Sequence, residues 1–150
     1  QASTLATEVS LVRAYLELMQ MRMPDRFQFS IAVASGLEGI EFLPLSILTL
    51  VENAVRHGID PSEQGGRIDV CVQRAGDDGA IRVVVADTGI GMDVSAVFGV
   101  GLANLESRLR GFFGRSARLE LHEVQPHGLS AEIVFTPNEN TGSASPGATP

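Results

Sequence analysis

Four polar side chains recur at helical spacing through an otherwise apolar segment, those of Ser46, Thr49, Asn53 and Arg56. The positions i, i+3, i+7 and i+10 share one narrow face of an α-helix, and Glu52 and His57 flank that face. Because buried polar groups need partners, the face meets either water or a polar ligand. The Asn53 amide oxygen suits Mg²⁺, and the Arg56 guanidinium suits phosphate oxygens. A half-exposed helix in which Asn53 caps or bonds to a loop explains the pattern equally well.

An aspartate ends an apolar run and precedes two glycines in the segment Asp87-Thr88-Gly89-Ile90-Gly91. A carboxylate at the end of a buried strand needs hydrogen-bond donors, and the exocyclic amine of adenine is such a donor. The glycines allow the backbone to approach a flat base, because no Cβ is in the way. The same residues also suit an ordinary turn, and they resemble the active-site loop of retroviral-type aspartic proteases. The protease interpretation ranks low, because it expects an almost all-β chain and roughly a third of this one has helical patterns.

Two more glycines, Gly99 and Gly101, stand immediately before a predicted helix. Free N–H groups at a helix N-terminus, approached without side chains in the way, form an anion site. The G-x-G pattern is common, so by itself it favours such a site only weakly. The residues between Met92 and Phe98 are predicted to form a short lid.

The basic residues exclude several kinds of chemistry. All 11 of them are arginine, and the chain contains no lysine. A Walker A loop, the strand lysine of the protein-kinase fold and Schiff-base catalysis each require a lysine. A nucleotide must therefore bind by another route.

Charge and cysteine content narrow the remaining classes of protein. The net charge of -7 argues against a nucleic-acid partner, because that affinity comes largely from neutralising phosphates. The single cysteine, Cys71, cannot form an internal disulfide, and the three histidines show no zinc-ligand spacing. No stretch approaches the ~20 apolar residues of a membrane span. We therefore predict a domain that works in a reducing, cytoplasmic setting.

The periodicity of the apolar residues predicts the elements that position these groups. The predicted helices cover residues 5–23, about 43–57 and 101–113, and the predicted strands cover residues 27–33, 68–72, 81–87, 118–124 and 129–135. Helices interleaved with mostly hairpin-connected strands predict an α/β two-layer sandwich. Because Gln1 stands within a helical pattern, the chain is expected to be a piece of a longer protein.

Three segments, taken in order and with their spacing, resemble the N, G1 and G2 boxes of one ATPase superfamily. The superfamily is that of gyrase B, the ninety-kilodalton heat-shock chaperone, histidine kinases and MutL, and the segments are residues 50–58, 87–92 and 99–104. The stretch from Glu8 to Met23 is similar to the lead-in of LytS-like sensor histidine kinases, and Asn104–Leu109 fits that subgroup. The resemblance covers residues 4–137. It implies a Bergerat-type sandwich with a mixed, mostly antiparallel sheet.

The resemblance implies a role for each matching residue. Asn53 would ligate Mg²⁺, and Arg56 and His57 would contact the phosphates of ATP. Asp87 would bind the adenine amine, and Glu52 would polarise the attacking group. The segments that shape the pocket and lid would include Gly89, Gly91, Met92, Gly99, Gly101 and Leu102.

The implied function is that of the ATP-binding catalytic domain of a two-component sensor histidine kinase. The domain would transfer the γ-phosphate to a histidine outside this chain. Its partners would be its own dimerisation and acceptor-histidine segment and a response regulator. The full-length protein would be a homodimeric inner-membrane sensor with this domain in the cytoplasm. Residues 1–23 would end the helical lead-in from the dimerisation region, 24–137 would bind ATP, and 138–150 would be a disordered tail.

Some residues depart from the family pattern and leave two alternatives open. Leu48-Thr49 stand where LytS-like kinases usually carry Gln-Pro, and Leu129 stands where they favour threonine. The acceptor motif is missing. These departures suit a module that senses nucleotide without catalysis. A serine kinase of the anti-sigma type shares the Asn-Ala-Val-x-His pattern, although the LytS-like first helix argues against it.

The histidines also have simpler interpretations. His57 stands at a predicted helix end, where a histidine often caps free carbonyl groups. His122 and His127 are expected to be surface residues, and neither lies in a recognisable acceptor motif.

Overall fold

Five strands form one sheet, and three helices lie against it. A computed structural model describes residues 3–91 and 100–138. In chain order the elements are β1 (Ser3–Thr4), α1 (Leu5–Arg22), β2 (Phe27–Val33), β3 (Glu41–Phe42), α2 (Ser46–Ala54), a π-helical turn (Val55–Ile59), β4 (Gly66–Arg74), β5 (Ile81–Asp87), α3 (Val100–Phe113), β6 (Arg118–Glu123) and β7 (Leu129–Phe135). The short strands β1 and β3 pair with each other, separately from the main sheet.

The main sheet is mixed and has the strand order β2-β4-β5-β7-β6. β2 and β4 are parallel, whereas the other three neighbouring pairs are antiparallel. Parallel neighbours need a crossover connection, and this one contains α2. β5 lies at the centre, and its last residue, Asp87, stands opposite Ile68 of β4 and Leu129 of β7. The predicted two-layer α/β sandwich with a mostly antiparallel sheet is confirmed.

One face of the sheet packs against the helices and forms the hydrophobic core. α1 contributes the fully buried residues Leu5, Val12 and Leu16, so it shares this core with the strands. The opposite face is polar: Arg82 pairs with Glu132 at 3.1 Å. A sheet with one apolar and one polar face is typical of antiparallel pairing with water on one side.

Three aromatic rings fix α3 against the rest of the domain. Phe113 at the end of α3 contacts Phe42 of β3 and Phe135 of β7, with ring centroids 5.4 and 4.3 Å away. Phe42 and Phe135 meet edge to face at 5.1 Å. Such aromatic contacts add to the free energy of apolar burial. They therefore hold the C-terminal end of α3 against both sheets.

The structure differs from the sequence prediction at both ends of the second helix. α2 begins at Ser46 rather than near Leu43, because Leu45 has a left-handed backbone with a φ of 66°. Beyond Ala54 the helix widens, and the Asp60 N–H donates to the Val55 carbonyl, five residues earlier, at 2.8 Å. Within residues 3–91 and 100–138, every helix is too short or too polar to cross a membrane.

A carboxylate on α1 supports the start of α2. Glu8 is 2% exposed, and its Oε2 accepts the Leu45 N–H at 3.0 Å. The Leu45 side chain cannot cap the helix, so Glu8 satisfies a backbone donor at this end from a distant part of the chain. Burial raises the pKa of Glu8, and the N–H groups of Leu45 and Ile47 oppose this rise. Oε1 makes no hydrogen bond of normal geometry among the described residues.

We expect the difference in stability between the wild type and Glu8→Gln to depend on pH. Because burial raises the Glu8 pKa, the folded state holds a proton that the unfolded state releases, so acidification through the raised pKa stabilises the wild type. The amide that replaces the carboxyl group in Glu8→Gln has no such proton. The wild type should therefore gain free energy of unfolding relative to Glu8→Gln as the pH falls from about 8 to about 5.

Urea unfolding across this pH range measures the effect. Glu17→Gln is the control, because Glu17 is exposed on the same helix and the substitution changes the net charge equally. A difference between the wild type and Glu8→Gln that stays constant with pH would contradict the prediction.

Candidate functional site

A cavity opens between α2 and the ends of the central strands. Its wall is formed by Leu50, Asn53, Ala54, His57, Gly58, Asp87, Gly91, Leu102, Leu121, Leu129 and Ala131. Most of these side chains are apolar, and the few polar groups are contributed by the helix and by the end of β5. This combination is typical of a small-molecule site, in which apolar walls supply contact area and polar groups fix orientation.

The carboxylate of Asp87 is the buried polar group of the cavity. Asp87 is 3% exposed, and its Oδ1 accepts the Gly89 N–H at 2.8 Å. Burial raises the pKa of Asp87, whereas the N–H groups of Gly89 and Leu129 and the nearby His127 lower it. The cost of burial is only partly offset, so a ligand that donates a hydrogen bond here would find a strong acceptor.

Three glycine backbones enclose Asp87 more closely than any side chain would allow. A Cβ on Gly58 would lie 2.8 Å from the Asp87 Oδ1, and one on Gly128 would lie 2.1 Å from the Asp87 carbonyl oxygen. A Cβ on Gly89 would lie 2.3 Å from the carbonyl carbon of Gly58. The sequence suggested that Gly89 makes room for a flat base. In the structure Gly89 is required first by the protein itself, because the π turn passes directly over it.

The predicted polar face of α2 divides into two parts. The Ser46 hydroxyl is fully buried and donates to the Leu43 carbonyl at 2.7 Å, and the Thr49 hydroxyl donates to the Leu45 carbonyl at 2.9 Å. Both are therefore satisfied by the first turn of the helix. Asn53 lines the cavity, where its Oδ1 accepts a long hydrogen bond of 3.3 Å from Arg56.

Glu52 and Arg56 face a different opening. They line a shallow groove between α1 and the second helix, the α1–α2 groove, together with Tyr15, Met19, Arg22, Val55 and Asp60. Arg22 and Asp60 pair across this groove at 2.6 Å. Burial raises the pKa of the Tyr15 hydroxyl, and the charge of Glu52 adds to that rise. Residues that are neighbours in sequence therefore face two different surfaces, because successive residues on a helix point about 100° apart.

The structure brings together part of the predicted set. Asn53, His57, Asp87, Gly91 and Leu102 all line the cavity. Gly89 lies behind the wall, in contact with the π turn, and Gly101 precedes Leu102 in α3. Met92, Gly99 and the predicted lid lie outside the described residues, and so do residues 139–150 of the predicted tail.

Sequence reasoning missed most of the apolar wall. Leu50 and Ala54 of α2, Leu121 of β6 and Ala131 of β7 line the cavity. In the sequence they are ordinary core positions on a helix or a strand. A sequence signal that could have found them is their spacing from the polar residues on the same element. On α2, for example, Leu50 and Ala54 lie on either side of Asn53.

Another group of potential metal ligands lies on the opposite face of the sheet. Glu120, His122 and Glu132 each have one potential ligand atom that lies within 4.8 Å of those of the other two. Arg118 pairs with Glu120, and Arg82 pairs with Glu132. These arginines already neutralise the carboxylates, and the group is separated from the cavity by the sheet.

Comparison with known families identifies a match over most of the domain. Residues 41–140 match the family described as histidine kinase-, DNA gyrase B-, and HSP90-like ATPase. The sensor histidine kinase/phosphatase LytS of Staphylococcus aureus strain MRSA252 is 38% identical over 134 residues. The match covers 81% of this chain and 23% of LytS, so the chain spans about a quarter of the length of the curated relatives it matches.

Solved structures share the fold at low sequence identity. The catalytic domain of the histidine kinase ThkA superposes with a TM-score of 0.66 at 16% identity, covering 92% of this chain and 98% of that domain. ThkA has also been solved in complex with the response regulator protein TrrA. Full-length ShkA in complex with AMPPNP superposes with a TM-score of 0.65 at 24% identity, covering 91% of this chain and 31% of ShkA.

We expect Asp87→Asn to lower the affinity for ATP by at least about 10-fold while the fold survives. The carboxylate offers only acceptors, whereas the amide places a donor against the adenine amine or against a backbone N–H. Isothermal titration measures the affinity, and circular dichroism verifies the fold. Asp77→Asn in the exposed β4–β5 turn is the matched control. Unchanged affinity in a folded Asp87→Asn protein would remove Asp87 from the binding site.

Proposed function

The chain belongs to the histidine kinase-, DNA gyrase B- and HSP90-like ATPase family, and on that premise we propose that it is the ATP-binding catalytic domain of a sensor histidine kinase. One observation carries the proposal: a buried carboxylate, Asp87, stands in the wall of an apolar cavity whose helix also presents Asn53. The first suits an adenine amine and the second suits a phosphate-bound cation. Both residues line the same cavity, so one bound ATP is expected to meet both groups.

The adenine end is the apolar part of the cavity. In the proposed complex the base lies between the side chains of Leu50, Ala54 and Ala131, with its exocyclic amine donating to Asp87. Leu129 lines the same wall. Burial of the flat, apolar faces of the base then contributes most of the affinity, and the single charge-assisted hydrogen bond contributes most of the selectivity for adenine.

The phosphate end lies at Asn53 and His57. Mg²⁺ usually binds through one or two protein oxygens and completes its shell with phosphate oxygens and water. The Asn53 Oδ1 fits this role, because its described partner is Arg56 through a long bond that can be exchanged. Arg56 would then reach from the α1–α2 groove and neutralise phosphate charge, and His57 would contact the phosphates. Bound Mg²⁺ would supply further charge neutralisation.

The proposed reaction transfers the γ-phosphate to a histidine outside this chain. An imidazole nitrogen forms a bond to the γ-phosphorus while the bond to the bridging oxygen breaks and ADP leaves. Positioning and charge neutralisation provide the catalysis, so the domain needs no nucleophile of its own. Glu52 is proposed, on the basis of the resemblance, as the group that polarises the attacking imidazole. Because Glu52 faces the α1–α2 groove, the acceptor would approach from that side.

The wider assignments rest on the relatives. We propose that the whole protein is a homodimeric membrane sensor whose acceptor histidine lies in its dimerisation region, and that a response regulator takes the phosphate from it. The sensor function named for LytS and the ThkA complex with a response regulator support these partners. Within this proposal residues 1–23 end the lead-in from the dimerisation region, and 24–137 bind ATP.

A second candidate function is nucleotide sensing without catalysis. Leu129 places an apolar side chain in the cavity wall where the related kinases favour a hydroxyl. The hydroxyl of Thr49 is directed back to the Leu45 carbonyl and is not offered to phosphates. Both features would withhold hydroxyl groups from the phosphate end of a bound nucleotide. They leave adenine recognition by Asp87 intact.

We expect Asn53→Ala to weaken binding of Mg²⁺-ATP much more than binding of adenosine, because only the former uses the metal. Titrations of both ligands, with and without Mg²⁺, measure the two losses. Thr49→Ala is the control on the same helix, because its hydroxyl is satisfied by the backbone. Equal losses for the two ligands would make Asn53 a structural residue.

A labelling experiment separates a kinase domain from a sensor. Given γ-labelled ATP, the 150-residue chain should bind it without acquiring phosphohistidine, because no acceptor motif is present. A longer chain that includes the proposed acceptor segment should become labelled, since tethering raises the effective concentration to ~mM. Asp87→Asn should abolish that labelling.

The other outcomes are equally informative. Stable labelling of the short chain on His57, His122 or His127 would overturn the placement of the acceptor elsewhere. Binding without labelling of the longer chain would favour the sensor.

A further inference from the structure

We propose that His127 is a positioning residue for adenine recognition, acting through the backbone of Gly89; this inference rests on the proposed binding of ATP. His127 lies in the turn between β6 and β7, where the Val124 N–H donates to the Gly128 carbonyl at 3.1 Å. Its ring Nδ1 lies 2.6 Å from the Gly89 carbonyl oxygen. His127 is exposed, as the sequence predicted, but its ring makes a specific contact with Gly89 in the loop after β5.

The contact matters because Gly89 uses both of its backbone groups. Its N–H donates to the Asp87 carboxylate at 2.8 Å, and its carbonyl accepts from His127 on the other side. Each of these bonds holds one of the two planar peptide groups that flank the Gly89 Cα. The direction in which the Asp87 carboxylate points is thus coupled to His127.

Backbone hydrogen bonds restrain the residues on either side of Gly89. The Thr88 N–H donates to the Arg67 carbonyl at 3.0 Å, and the Ile90 N–H donates to the Gly58 carbonyl at 3.1 Å. These are backbone bonds to neighbouring elements. Among the described residues, the donor to the Gly89 carbonyl is the side chain of His127, so this position can be tested by substitution.

The arrangement determines which ring nitrogen carries the proton. A carbonyl oxygen only accepts hydrogen bonds, so Nδ1 of His127 must be protonated even when the ring is neutral. His122 provides an internal comparison, because its Nε2 lies 3.4 Å from Glu120 and its proton is expected on Nε2. Nitrogen-15 NMR of the ligand-free chain at a pH where both rings are neutral distinguishes the two forms.

The experiment compares three substitutions at one position. His127→Ala should raise the Kd for adenosine and for Mg²⁺-ATP alike, by about 3- to 10-fold, the range expected for one hydrogen bond. His127→Asn should restore binding, because its amide nitrogen lies at the same reach from the backbone as Nδ1. His127→Gln places its amide nitrogen one bond further out and should not. His122→Ala should leave the affinity unchanged.

The possible outcomes separate this proposal from the one on which it rests. If the wild type binds ATP and His127→Ala binds it equally well, His127 has no positioning role. A neutral His127 protonated on Nε2 would overturn the proposal as well, independently of any ligand. If the wild type bound no ATP, the proposed function would fail, whereas protonation on Nδ1 would still establish the contact with Gly89. Equal behaviour of the Asn and Gln variants would also contradict the proposal.

Discussion

The architecture of this domain depends on the burial of one carboxylate against backbone that has no side chains. Asp87 ends the central strand, and the helix, the loop after β5 and the turn before β7 all approach it through glycine. Three elements that are far apart in sequence therefore meet at distances that a Cβ would prevent. The cavity lies beside this meeting point, and Gly58, Asp87 and Leu102 of α3 all line it.

The energetics of that carboxylate connect the fold to the function. Ionised Asp87 loses hydration on folding, and two backbone N–H groups recover only part of the loss, which is why its pKa is raised. The protein thus places a carboxylate that is costly to bury in the cavity wall, where a hydrogen-bond donor of a ligand would offset part of that cost. Glu8 shows the same raised pKa for a structural purpose, since it supports the strained start of the helix that carries Asn53. Burial of these two acidic groups lowers the stability of the domain, but it positions residues of the site.

The periodic elements of the fold and the polar groups at the two ends of the site could be predicted from the sequence, whereas the contacts between distant segments could not. The strand over Phe27–Val33 has the predicted bounds, and the carboxylate of Asp87 stands at a strand end as its apolar run indicates. Only part of the predicted polar face lines the cavity, because the partners of a side chain depend on tertiary contacts as well as on helical spacing. Ser46 is satisfied internally, and Glu52 faces another groove. The contact of Glu8 with Leu45 joins residues 37 positions apart, and no local pattern reports such a pair.

The π turn has a consequence for how the sequence of this domain can change in evolution. A π turn is equivalent to an α-helix that has received one inserted residue. Removing one residue between Val55 and Ile59 would restore regular winding and change the backbone that lies over Gly89 and Asp87. The number of residues in this turn is therefore constrained together with the glycine at position 58. Alignments of its relatives should show few gaps in this turn.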